Sequence, residues 1–311
     1  MFRTILIVLV AGSVCAAAAP ADAVAYGKPG PGTALAGCPV FPAGNAFNRD
    51  ISGAKVHPLS GRYIASIGRG SMLHPDFGSG QYGNYGIPFR VVSRRQRRIP
   101  VLFTAFGSES DRGPYPIPLD TRIEGGSDDH VLAIQRGTCR LFELYRARRG
   151  KGRWLADSGA KFNLRSNRLR PAGWTSADAA GLPILPGLAR AGEASSGRIT
   201  HALRVTVSET QRGYILPARH FASNSNNRSL PPMGLRLRLK SGYRLGRFSG
   251  QALAILKALK KYGLIVADNG SNWFFQGATS RGWNDDELNQ LKEIPGDAFE
   301  VVRSEAPAET C

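Results

Sequence analysis

From Cys38 to Val302 the chain alternates short apolar runs with Gly- and Pro-rich breaks, a rhythm that predicts many strands and few helices. The runs are Ile87 to Val92, Ile99 to Phe106, His130 to Gln135, Cys139 to Tyr145, His201 to Val207, Tyr214 to Leu216, Leu235 to Leu239, Leu264 to Ala267 and Phe299 to Val302. Many of their residues are β-branched or aromatic, which suits a pleated, half-buried surface. Helical spacing is clearest from Gln251 to Tyr262. There Leu253, Leu256, Leu259 and Tyr262 form one face, Ser249 is a plausible N-cap and Gly263 a stop. A short helix is expected to open at Thr175 or Ser176. Another is expected from Asp285 to Ile294, opened by Asn284 with Glu287 closing a capping box. These elements predict a β-rich α+β fold, with an antiparallel sandwich or jelly-roll-like core and two or three short helices.

One hairpin can be laid out in detail. The runs HVLAIQ and TCRLFE flank Arg136-Gly137, and Gly at the second loop position suits a two-residue type I′ turn. That register pairs Gln135 with Thr138 and sets His130 opposite Glu143. A three-residue loop would put the two on opposite faces.

The N-terminus reads as an export signal spanning residues 1–23. Arg3 is followed by the apolar and small residues Ile5 to Ala19, and Ala21-Asp22-Ala23 fits a cleavage site. A Gly/Pro/Ala-rich leader at 24–37, one globular domain at 38–303 and a frayed tail at 304–311 complete the expected organisation. Export places the protein in a secreted or periplasmic, oxidising setting, so two of the three remaining cysteines should pair. Cys38 with Cys139 is the expected bridge, because Cys311 sits in a Pro/Ala/Glu-rich end. No later apolar run is long enough to span a membrane.

Several motifs carry a resemblance. They are Cys38-Pro-Val-Phe-Pro, Leu73-His-Pro-Asp-Phe-Gly, Glu109-Ser-Asp-Arg-Gly-Pro-Tyr-Pro-Ile-Pro, Ile123-Glu-Gly-Gly, Gly173-Trp-Thr-Ser-Ala-Asp-Ala-Ala-Gly-Leu-Pro-Ile, His201-Ala-Leu-Arg and Ala267-Asp-Asn-Gly-Ser-Asn-Trp. On these the chain resembles an uncharacterised family of secreted bacterial proteins, over nearly all of its length after the signal. The resemblance implies export and one continuous unit, and it brings no activity with it.

The chemistry therefore has to be read from side chains. There is no G-x-S-x-G elbow, no Walker lysine loop and no H-E-x-x-H. What remains is carboxylates and histidines near aromatics. Glycoside cleavage needs one protonated and one ionised carboxyl, for which Asp76, Glu109, Asp111, Glu124, Glu143, Asp178 and Asp268 are available, and the acid and base are expected among Glu109, Asp111, Glu143, Asp178 and Asp268. A polysaccharide lyase would instead need a His or Tyr base and a cation for a uronate. His130 and Arg204 are the expected substrate-binding groups, with Trp174 and Trp273 as stacking faces, and His201 is a candidate proton relay. Each has a plainer role. Asp178 also fits a capping box, Asp268-Asn269-Gly270 also fits a turn, and His201 begins an apolar strand where a core histidine is common.

Charge adds one element. The chain carries 41 Lys and Arg against 23 Asp and Glu, a net +18. Such a field attracts polyanions, including acidic glycans and extracellular DNA, although a solvated arginine-rich surface looks the same in sequence. The expectation is a secreted or periplasmic carbohydrate-active enzyme, a glycoside hydrolase or polysaccharide lyase, acting without a cofactor or metal on an anionic or neutral polysaccharide. A non-catalytic glycan- or envelope-binding protein and a secreted phosphodiesterase or nuclease are the alternatives.

Overall fold

The computed structural model describes residues 28, 30–81, 83 and 85–303. The expected signal segment and cleavage site, residues 304–311 and Cys311 lie outside the described residues. In chain order the strands are β1 (Ala34–Leu35), β2 (Cys38–Pro39), β3 (His74–Asp76), β4 (Phe89–Val92), β5 (Val101–Phe103), β6 (Val131–Gln135), β7 (Arg140–Tyr145), β8 (Arg148–Gly150), β9 (Arg153–Ala156) and β10 (Ser158–Asn163). They continue with β11 (Leu203–Val207), β12 (Arg236–Leu239), β13 (Leu264–Asn269), β14 (Phe274–Gln276) and β15 (Phe299–Val301). Four α-helices are present among the described residues: α1 (Ser60–Ile67), α2 (Ala191–Ser195), α3 (Gly250–Lys261) and α4 (Asp285–Asn289).

The fold is β-rich with helices, as the sequence predicts, but its sheets are mixed and form no closed barrel. The largest has the order β15-β12-β13-β11-β14-β3. In it β11 runs parallel to β13 and β14 parallel to β3, while the other pairings are antiparallel. A four-stranded sheet, β10-β7-β6-β4, is antiparallel except for the β4–β6 pair. A three-stranded sheet, β5-β9-β8, is again mixed, and β1 pairs with β2. The purely antiparallel sandwich is thus corrected. Apolar content alone does not carry strand direction, and runs buried on both faces suit parallel and antiparallel neighbours alike.

The four-stranded sheet is covered on both sides. Leu132, Ile134 and Leu141 join the main core with Leu203, Val205 and Leu264 of the large sheet. Val131, Ala133 and Leu144 face a second cluster built on Trp154, Tyr115 and Ile117. That double burial explains why β6 reads as an unbroken apolar run.

Helix α3 lies where expected, with Gly263 beyond its end at φ +69°. Its N-cap differs from expectation. Ser249 makes no side-chain cap, and Glu287 instead accepts the Gln251 N–H at 2.6 Å while Gln251 Oε1 accepts the Asn284 N–H at 2.9 Å. Glu287 therefore caps the neighbouring helix rather than closing its own box. Asn284 does cap α4, accepting from Asp286 and Glu287. No helix opens at Thr175, and Tyr214 to Leu216 forms only a single bridge, from Tyr214 to Met233. Helix α1 was not anticipated, although Ser60, Tyr63, Ile64 and Ile67 are buried at helical spacing.

The β6–β7 hairpin pairs Gln135 with Arg140 through a four-residue loop, not a two-residue one. Cys139 in that loop has φ +51° and is bonded to Cys38, with Cα atoms 5.3 Å apart. The register moves by two residues, so Glu143 lies opposite Leu132 while His130 stays on its face. Part of the expected leader is packed: Val40 N–H bonds Thr33 O at 2.8 Å, and Thr33 Oγ1 bonds Glu193. Among the described residues no helix is long and apolar enough to cross a membrane, and the disulfide fits an oxidising compartment.

The bridge closes a loop of 101 residues in sequence. In the chain-entropy view that is worth up to about 4–5 kcal/mol. Cys38→Ser/Cys139→Ser is expected to lower Tm by roughly 10 °C, measured by thermal unfolding with circular dichroism. An unchanged Tm would show that the bridge contributes nothing to stability.

Candidate functional site

Arg204 sits on β11 between Leu203 and Val205, and its side chain is only 1% exposed. A guanidinium cannot leave water without partners. Its Nε and Nη2 donate to Asp178 Oδ2 at 3.1 and 2.6 Å, and Nη1 donates to Gln276 Oε1. Asp178, whose side chain is fully buried, is held by an irregular turn rather than a helix. Its Oδ1 accepts the Ala180 N–H at 2.8 Å, and its own N–H donates to Ser176 Oγ at 2.9 Å.

Asp268 reaches the same guanidinium because of a bulge. Arg204 and Val205 pair with Ile265 and Val266, but Thr206 pairs with Asp268, leaving Ala267 as the extra residue. A regular register would turn Asp268 to the face of Val205 and Val207. The bulge returns it to the face of Arg204, where its Oδ2 lies 3.9 Å from Arg204 Nη2. Its side chain keeps 26% exposure. The row continues across the sheet, since Gln276 is the register partner of Asp76 on β3.

The facing sheet supplies the rest. His130 Nε2 donates to Ala177 O at 2.9 Å and Nδ1 contacts Glu124 Oε2 at 2.5 Å. Glu143 is fully buried and accepts the N–H groups of Ile184 and Leu185 at 2.9 Å each, capping the 3₁₀ turn Leu185–Gly187.

Titration in this cluster is displaced, chiefly by burial. Burial and the neighbouring charge of Asp178 push Asp268 up to about 7, against the pull of Arg204 and His130. Burial likewise pushes Glu143 up to about 7, opposed by its two backbone donors. Burial works against charge on His130, yet Glu124 holds it up at about 9. Asp76 is raised by burial and then by Glu124 and Asp128, so acidic groups crowd one locality of a strongly basic protein.

Asp76 also opens onto a cavity of about 480 Å³ lined by His74, Tyr85, Phe274, Asp285 and Lys292. The His74 and Phe274 rings stack at 4.0 Å, and Tyr85 is 53% exposed. Among the described residues no three or more His, Cys, Asp or Glu side chains are grouped to hold a metal ion.

The structure thus brings Glu143, Asp178, Asp268, His130 and Arg204 together. It sends the other sequence candidates elsewhere. Asp111 and Trp174 line a separate basic cleft, with Arg170 bridging from Asp111 Oδ2 at 2.5 Å to the carbonyl of Glu109 at 2.8 Å. Glu109 accepts the Thr175 N–H at 3.1 Å. His201 is fully buried. Its Nδ1 donates to Ala202 O at 2.8 Å, and its Nε2 lies 2.7 Å from Arg190 Nη2 and 3.2 Å from Glu193 Oε2. Burial and Arg190 both hold its pKa down. Trp273 is fully buried, donates to Gly68 O at 2.8 Å and packs on Phe299, which removes it as a stacking face. Gln276 was not anticipated; the only sequence trace is a polar residue ending the Phe-Phe-Gln run.

Two outcomes test this geometry. Arg204→Met leaves Asp178 buried without its cation and is expected to cost about 3–5 kcal/mol in denaturant unfolding. Asp268 holds its proton longer folded than unfolded, so its contribution to stability declines as pH rises from about 4 to 7. Asp268→Asn is therefore expected to be more stable than wild type at pH 8, on the order of 2 kcal/mol, with the gap closing at pH 4. A gap independent of pH would contradict the assignment.

A scan against models of known protein families finds no match, and neither does a search of curated proteins or of solved structures.

Proposed function

We propose that the protein is an exported carbohydrate-active enzyme that hydrolyses glycosidic bonds of an envelope or extracellular polysaccharide. Asp268 acts as the general acid and Asp76 as the carboxylate that works with it. The observation that carries this reading is the bulged β13, which sets a quarter-exposed Asp268 beside the buried Arg204–Asp178 pair. Glycoside hydrolysis needs a carboxyl that keeps its proton near neutral pH, and burial beside another carboxylate supplies one. Asp178 does not touch solvent and serves as a positioning residue, holding Arg204, which in turn orients Gln276 and limits how far Asp268 moves.

The substrate face is assigned to the cavity onto which Asp76 opens. Tyr85 and the His74–Phe274 stack offer apolar rings to a sugar face, and Asp76 and Asp285 offer acceptors to hydroxyls. The crowded carboxylates around Asp76 repel a uronate, and Arg204 is already committed to Asp178 and Gln276. This favours hydrolysis of a neutral glycan over lyase chemistry on an acidic one.

The test is release of reducing ends from a panel of neutral and acidic polysaccharides. Turnover of a neutral glycan is expected to fall as pH rises past about 7, because the acid must be protonated. Asp268→Asn is expected to lose about 10²-fold or more in kcat while still binding oligosaccharide. Full activity in Asp268→Asn would sink the assignment. Oligosaccharide binding with no turnover on any glycan would favour the non-catalytic alternative.

A further inference from the structure

A second cavity lies away from Asp268. It is an open cleft of about 1030 Å³ between the start of β7, the end of β10 and the loop from Ser166 to Trp174. Arg140, Lys161, Arg168, Arg170 and Arg219 line it, with Asp111 as its one carboxylate.

The cations divide into two kinds. Arg170 is a strut: its three donor nitrogens reach Thr175 O at 2.8 Å, Asp111 Oδ2 at 2.5 Å and Glu109 O at 2.8 Å. Its guanidinium also lies between the Phe162 and Trp174 rings, at 5.7 and 5.6 Å. That contact neutralises Asp111 and fixes Trp174 at the cleft wall. Arg219 is likewise tied, donating to Arg170 O at 3.0 Å. Arg140 and Arg168 are exposed and make no ion pair among the described residues. Lys161 gives its ammonium to Arg112 O. Burial, Arg98 and Arg140 all disfavour its charge, and only Asp111 supports it. Like charges crowded this way are relieved by a bound anion.

The frame holding these groups is rigid. Arg140 pairs with Asn163 across the β7–β10 ladder and follows the disulfide-bonded Cys139. The loop is tied back by Asn45 Nδ2 to Asn167 Oδ1 at 3.1 Å, and the Arg168 N–H donates to Ser166 Oγ at 3.1 Å.

We propose that this cleft binds an acidic polysaccharide: uronate carboxylates meet Arg140 and Arg168, and a sugar face lies on Trp174. Arginine forks match carboxylates in geometry and charge. Asn163, Ser166 and Asn167 also line the cleft and suit sugar hydroxyls. The volume, at the upper end for small-molecule pockets, admits several rings. Single-stranded nucleic acid is the weaker fit. Such sites stack successive bases on several aromatics, whereas Phe162 is only 7% exposed and already covered by Arg170. The cleft is a second site, and its occupancy does not depend on hydrolysis at Asp268.

The experiment measures binding of galacturonate oligomers to the full chain by titration calorimetry, alongside carboxyl-reduced oligomers and oligo-dT. Wild type is expected to bind the galacturonate oligomers, to bind the reduced ones at least tenfold more weakly, and to weaken with added salt. Arg140→Glu/Arg168→Glu is expected to lose at least tenfold in affinity, and Trp174→Ala several-fold. Arg244→Glu/Lys257→Glu, an equal charge change at exposed positions outside the cleft, is expected to stay within twofold. The proposal is overturned if the two double variants weaken binding equally, if the cleft variant binds as wild type, or if oligo-dT binds more tightly than the uronate and loses affinity in the same variants.

Discussion

A guanidinium buried in the middle of a sheet is the constraint around which the rest of this protein is arranged. Arg204 has almost no contact with solvent, so its charge must be met from within. Asp178 meets most of it and Gln276 meets another edge. Asp268 approaches the same nitrogen that Asp178 already holds. Two carboxylates around one cation leave an excess of negative charge in a poorly solvated place, and burial pushes both Asp178 and Asp268 above the usual carboxylate range. The functional reading grows from that imbalance. A carboxyl pushed up to about 7 follows from the burial of Asp268 and the charge of Asp178, against the pull of Arg204, where the bulge places it.

The molecule separates its charges in space. Around Asp76, Glu124, Asp128 and Asp268 the local field is acidic, while the cleft bounded by Arg140 and Arg168 is basic. The short segment from Trp174 to Asp178 connects the two. Trp174 stands at the wall of the basic cleft, and Asp178 lies four positions on, against Arg204. Arg170 grips the segment at Thr175, and the Ser176 hydroxyl secures Asp178. On the functions proposed above, the acidic site would serve bond cleavage and the basic cleft would hold an acidic glycan.

Much of the local structure was legible beforehand. The apolar runs at 130–145 and 203–207 are strands, Arg204 points away from Leu203 and Val205, and Cys38 pairs with Cys139. The hairpin register lies two residues from that of a two-residue turn because Cys139 adopts a positive φ within the loop, a conformation that a non-glycine residue does not advertise. The capping box expected at Thr175 failed because Asp178 is bound to a residue 26 positions away. Glu287 was drawn off its own box by the open N-terminus of α3.

Alternation, composition and cysteine count are properties of neighbouring residues, and through them the chain by itself determined strands, the principal helix, the disulfide and the pool of candidate acids. Which acids meet was decided only on folding. The contacts of Arg204 with Asp178 and Gln276 span 26 and 72 positions, and the aim of Asp268 depends on one extra residue in a parallel ladder. No local pattern encodes strand order or the place of a bulge. Both are settled when the two sheets close over a common core and every buried charge has to find its partner there.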